Sequence, residues 1–100
     1  MNQKDVSIPS SKYKYFFSFS LTHSWNEVIA ELRDHSYCTQ SEIANRLGIN
    51  RRTYANYEAG IYDMKVETIK KIAQLYKIPS SIILGEQTIL KLWGDKCDTL

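Results

Sequence analysis

An all-α fold of five short helices is predicted for this 100-residue chain, with a candidate β-strand added near its N-terminus. Three observations carry that expectation. From residue 24 onward, apolar residues recur at helical spacing behind good capping residues; glycine or proline follows most of these segments; and before them lies a run of alternating aromatic residues. With 43% hydrophobic residues, a chain of this length can bury one core and leaves no room for a separate ligand domain. The expected organisation is an N-terminal arm over 1–23, a helical domain over 24–85 and a C-terminal extension over 86–100.

The candidate strand covers residues 12–21. Tyr13, Tyr15, Phe17, Phe19 and Leu21 share one face in an extended chain, and Lys12, Lys14, Ser18 and Ser20 the other, with Phe16 breaking the pattern. A lone strand on a helical domain leaves backbone donors unpaired, so it calls for a partner strand: its own copy in a second subunit, or Thr88 to Trp93. The first choice makes the protein a homodimer. Two other readings stay open, an aromatic arm packed on the helices and an arm whose Lys12 and Lys14, interleaved with tyrosines, touch nucleic acid. A secretory leader is disfavoured, because the apolar stretch is short and aromatic and lacks a small-residue cleavage site.

The first helix is expected to start at Ser24, in a capping box with Glu27, and to bury Trp25, Val28, Ile29 and Leu32. The second starts at Thr39, whose hydroxyl can accept from the amide of Glu42 while the Glu42 carboxylate reaches back. Cys38 and Ile43 form a hydrophobic staple there, and Gly48 stops the helix after Leu47. Asn50 caps the third helix, Ile49 and Tyr54 form a second staple, and Gly60 ends it. The fourth carries Val66, Ile69, Ile72, Ala73 and Tyr76 inward and cannot continue past Pro79; a short fifth follows near Ser80 to Leu84, stopped by Gly85.

Thr39 to Gly60 therefore reads as a helix-turn-helix. Helical spacing puts Tyr54, Tyr57 and Glu58 on one side of its second helix and Arg51, Arg52, Ala55 and Asn56 on the other. Two cations in a first turn face the positive end of the helix dipole, which costs roughly 0.3–1 kcal/mol each unless an anion compensates. Arginine can pair with guanine, asparagine with adenine, and alanine can touch a thymine methyl, so the outer face has major-groove chemistry; the alternative is a solvated polar face. The formal charge is only +2, so attraction to DNA rests on clustering at Arg46, Arg51, Arg52, Lys65, Lys70 and Lys71.

The stretch from about Ile29 to Leu84 resembles the Cro/phage-repressor (XRE-type) helix-turn-helix family. The matching residues are Arg33, Thr39, Gln40, Ala44, Leu47, Gly48, Tyr57, Glu58, Gly60, Ile69, Ile72, Ala73 and Leu75. The resemblance implies a lambda-repressor-like five-helix domain and a sequence-specific regulator of transcription, in the simplest case a repressor. It would bind a near-palindromic double-stranded operator as a homodimer, with half-sites about 10–10.5 base pairs apart. By the same resemblance Gln40 binds backbone phosphate, as a helix N-terminus suits an anion, and Arg51, Arg52 and Asn56 read bases, with Ala55 beside them. Asn50, Thr53 and Lys65 complete the expected phosphate set, and Arg33 and Glu58 form a structural ion pair. Two departures bear on the angle of the recognition helix: Tyr54 replaces a small aliphatic residue, and Met64 stands where a proline often precedes the fourth helix.

A different class of function is an antitoxin-like interaction protein that uses the helix-turn-helix for autoregulation and its termini, the N-terminal strand above all, to grip a protein partner. An enzyme finds no support: there is no phosphate loop, nucleophile motif or paired acids on one face, and Asp34, Asp63 and Glu67 read as solvated or capping residues. No cofactor or metal is expected, because His23 and His35 lack zinc-site spacing with Cys38 and Cys97. No stretch approaches the roughly 20 apolar residues of a membrane span. A cytoplasmic setting follows from DNA binding, and with it reduced cysteines.

Overall fold

The computed structural model describes residues 5–84. They form α1 (Tyr13–Thr22), α2 (Trp25–His35), α3 (Gln40–Leu47), α4 (Arg51–Glu58) and α5 (Val66–Tyr76), and residues 80–84 are helical again and serve as α6. A 3-10 turn at Ser10–Lys12 leads into α1. The five helices expected from residue 24 onward are all present, and the described residues contain no strand. Gly85 and the proposed pairing segment Thr88 to Trp93 lie outside the described residues.

The candidate strand over 12–21 is corrected to a helix. In Tyr-Lys-Tyr-Phe-Phe-Ser-Phe-Ser-Leu-Thr nearly every second residue is aromatic, and so is nearly every third or fourth, so the alternation does not exclude a helical stripe. Phe16 and Ser20, four apart, are buried, with Tyr13 and Phe19 packed at the edge of the core. The helix also settles its own backbone groups, which an unpaired strand cannot do. Near its end side chains add to the backbone bonds: the Ser20 hydroxyl donates to Phe17 O at 2.7 Å, and His23 Nδ1 lies 2.9 Å from Phe19 O, the first of the last four carbonyls, with its ring stacked on Phe19. Phe17 and Leu21 face outward, and Tyr15, exposed on one side, lies with the other on α2, its hydroxyl donating to Glu31 and its ring against His35.

The residues ahead of α1 belong to the same core. Val6 and Ile8 are buried beside Phe16, the Ile8 amide donates to the Tyr76 carbonyl at 2.8 Å, and the Tyr13 hydroxyl donates to the Lys77 carbonyl at 2.7 Å. The arm thus packs on the helices and covers the C-terminal end of α5, where carbonyls have no partner inside the helix. That end turns at Lys77, whose φ of 56° is left-handed, so α5 stops at Tyr76, three residues before Pro79.

Val28, Ile29 and Leu32 of α2 meet Ile43 of α3, Tyr54 of α4, Ile69, Ile72 and Tyr76 of α5, and Ile82 and Ile83 of α6 in one apolar cluster, with Trp25 half-buried at its rim. Val66 is exposed instead, at the N-terminal end of α5. The capping box at Ser24 is a second correction. Ser24 is the N-cap of α2, but its hydroxyl donates to the side chains of Asn26 and Glu27 and accepts from no backbone amide. The carboxamide oxygen of Asn26, two residues on, draws the hydroxyl as an acceptor and so competes with the backbone amide the box would use.

Candidate nucleic-acid interface

The turn between α3 and α4 is built from local signals. Thr39 Oγ1 accepts from the Glu42 amide at 3.1 Å and the Glu42 carboxylate accepts from the Thr39 amide at 3.0 Å, the reciprocal box that fixes where α3 begins. Cys38 and Ile43 are both buried beneath it. Gly48 ends α3 at φ 74°, a left-handed conformation that glycine adopts without the steric cost other residues bear. Asn50 Oδ1 then accepts from the Thr53 amide at 2.8 Å and starts α4. Tyr54 is wholly buried, and Ile49 packs on the core beside it.

This anchoring leaves Arg51 and Arg52 exposed at the first turn of α4, with Ala55 and Asn56 half-buried one turn on. Asn50 and Thr53 are committed to the cap through the Asn50 carbonyl and the Thr53 amide, which leaves the Asn50 amide group and the Thr53 hydroxyl to offer. Lys65 is exposed but stands at the N-cap of α5, beyond the loop that follows α4. The structure therefore gathers the four base-reading candidates, Asn50 and Thr53 on one short helix and its cap, while Lys65 belongs to another element.

Gln40 and the ion pair lie behind that face. Arg33 Nε donates to Glu58 Oε2 at 2.7 Å and Nη2 to Glu58 Oε1 at 3.1 Å, a bidentate pair, and Arg33 Nη1 donates to the Cys38 carbonyl at 2.9 Å. Gln40 Nε2 donates to the same Glu58 Oε1 at 3.0 Å, and Arg51 Nη1 donates to Gln40 Oε1 at 3.4 Å. Burial alone would raise the Glu58 carboxyl; the Arg33 guanidinium above all, with Tyr54 and Gln40 beside it, outweighs that and holds it below the usual carboxylate range. Hydrogen bonding to Glu58 likewise holds Arg33 in its charged form. Burial pushes the Tyr54 and Tyr76 phenols well above their ordinary range, so both stay neutral beside this pair.

One residue of the frame was missed in the sequence. Asn26 Nδ2 donates to the Glu58 carbonyl at 3.2 Å and ties the start of α2 to the end of α4. Gly60 makes room for it: φ is 75°, and a Cβ there would lie 3.3 Å from Asn26 Nδ2. A glycine explained only as a helix stop gave no hint of its neighbour 34 positions away. Among the described residues there is no cluster of metal-ligating side chains and no helix long and apolar enough to cross a membrane.

A helix-turn-helix family model matches residues 29–83, which span α2 to α6. The cryptic phage CTXphi transcriptional repressor RstR of Vibrio cholerae is 34% identical over 58 residues, covering 58% of this chain and 52% of that protein. The HTH-type transcriptional regulator ImmR of Bacillus subtilis (strain 168) is 30% identical over 63 residues, 63% of this chain and 50% of that protein. The matched region spans about half the length of each relative. No solved structure gives a significant match.

Proposed function

This chain belongs to the helix-turn-helix family of Cro/phage-repressor type, and on that premise we propose that it is a sequence-specific double-stranded DNA-binding repressor of transcription. The observation that carries the reading is the outward face of α4, where Arg51, Arg52, Ala55 and Asn56 stand clear of a core that fixes every other side of the helix. In the proposed complex α4 lies in the major groove, these four residues meet base edges, and Gln40, Asn50, Thr53 and Lys65 meet phosphate. Two copies would bind the two halves of a near-palindromic operator. The relatives named as a repressor and a transcriptional regulator support this direction, and the setting it implies is the cytoplasm.

Selection of bound sites from random DNA tests binding, symmetry and spacing together. The expected result is a near-palindrome with half-sites about 10–10.5 base pairs apart. Arg51→Ala and Arg52→Ala should each cost about 1–3 kcal/mol on the selected site and relax one position of it. Unchanged specificity in both variants would remove α4 as the reading helix.

A second reading, an antitoxin-like protein with its own protein partner, is favoured by one observation: Tyr15, Phe17 and Leu21 are exposed on α1. The gripping element is then a helix, the strand having been corrected. Phe17→Ser with Leu21→Ser discriminates, since it spares the buried Phe16 and the contacts of Tyr15 with α2. Loss of a stoichiometric partner from the purified complex supports that reading, and a homodimer unaffected by the change supports the plain repressor.

A further inference from the structure

Taken separately, Arg33 and Glu58 form an ion pair and Gln40 is a candidate phosphate contact; their hydrogen bonds make them one chain ending on a base-reading residue. Glu58 is a carboxylate and can only accept, so it dictates which end of the Gln40 amide faces it: the NH2 end. The carbonyl end is thereby turned to Arg51, whose Nη1 donates to it at 3.4 Å. The carboxylate cannot swing to release this arrangement, because Arg33 grips both of its oxygens and is itself held by the Cys38 carbonyl.

We propose that the Arg33–Glu58 pair is a positioning device for base reading, which acts through the Gln40 amide to hold Arg51 in one orientation. Gln40 and Glu58 are then specificity-determining at the base pair that Arg51 reads, although neither touches that base. This rests on α4 being the reading helix. A guanidinium carries five donors in a planar fork, and a bidentate contact to guanine uses one edge of that plane. Occupying Nη1 from behind chooses the edge that is presented. The second hydrogen of Gln40 Nε2 is not used by Glu58, so a phosphate contact and the positioning role coexist on one side chain.

The test compares the wild type with Gln40→Leu, Arg51→Ala and the double variant, each titrated at one salt concentration against its selected operator and against random-sequence DNA. Gln40→Leu is expected to lower the operator-to-random affinity ratio about tenfold, and to relax the same base position that Arg51→Ala relaxes. Placed on Arg51→Ala, it should change that ratio by less than about twofold, since the route to the base is already gone. Equal weakening of operator and random DNA by Gln40→Leu in both backgrounds would overturn the proposal and leave Gln40 a phosphate contact alone. No change in base preference from Arg51→Ala would overturn the proposal by removing Arg51 as a base reader, and the same result for Arg52→Ala as well would sink the reading of α4 itself, outcomes distinct from the first. Glu58→Gln adds an arm: its carboxamide can turn a donor toward Gln40, so the same base position should relax while thermal unfolding remains cooperative. Should Glu58→Gln fold and keep full preference there, the ion pair has no part in reading. The Gln40 variants, at a half-buried residue that opens a helix, carry the test independently of how Glu58→Gln folds.

Discussion

Residues 39–60 and residues 5–23 are of similar length, yet they take their structure from opposite sources. In the first, each helix boundary is decided by a partner three or four residues away: Thr39 with Glu42, Asn50 with Thr53, Gly48 by its own backbone. In the second, the deciding partners are remote. Ile8 bonds to Tyr76, Tyr13 to Lys77, and Phe16 is buried against residues of helices that come later in the chain. Local partners leave a spacing that can be read from sequence, and remote ones leave only composition.

The comparison can be broken most forcefully at Phe16. If the arm is as much core as the helices, Phe16→Ala should cost about 3–5 kcal/mol in denaturant unfolding. A loss below about 1 kcal/mol would show the arm to be a dispensable wrap. Within the other region, Thr39→Ala removes one reciprocal cap and should cost about 0.5–2 kcal/mol by the same measurement, with the fold retained.

Acid unfolding sharpens the contrast at Glu58, the link from the helix-turn-helix to α2. Its folded-state carboxyl lies below the unfolded value near 4.5, so its contribution to stability is present above that pH and is lost as pH falls through the folded value. Glu58→Gln should flatten this part of the stability-against-pH curve, and an unchanged acid limb would show that other carboxylates set it. The smallest effect is expected at Phe17, one residue from Phe16 but exposed. Phe17→Ser should shift stability by no more than about 0.5 kcal/mol, and a loss as large as that of Phe16→Ala would contradict the helical phase of α1.

The same division explains how much was legible beforehand. Every helix from Ser24 to Leu84 could be placed, because caps, stops and inward stripes repeat within a turn or two. The outward set Arg51, Arg52, Ala55 and Asn56 followed from the staple that turns Tyr54 inward. The Arg33–Glu58 pair was foreseen through family resemblance alone, since nothing in the spacing of 25 residues announces it. Gln40 on Glu58 and Asn26 at the end of α4 left no trace at all, for both depend on how α2, α3 and α4 cross. The segment 12–21 failed for a different reason. Six of its ten residues are aromatic or leucine, so periods of 2 and 3.6 both find support, and the choice fell to burial on elements that the local pattern does not contain.

The hydrogen bond from Tyr13 to Lys77 spans 64 residues and so bears on the order in which the molecule is assembled. During synthesis the arm leaves the ribosome before the helices it packs on, and its docking site is complete only when the end of α5 has followed. Helix α1 packs on α2, its neighbour in the chain, and can do so early, whereas closing the segment that leads into it over the end of α5 bears the loop entropy of nearly the whole described chain. The stretch from Ile8 to Tyr13 is thus made before its docking site and settles after it, and until then the apolar side chains of Val6 and Ile8 travel uncovered.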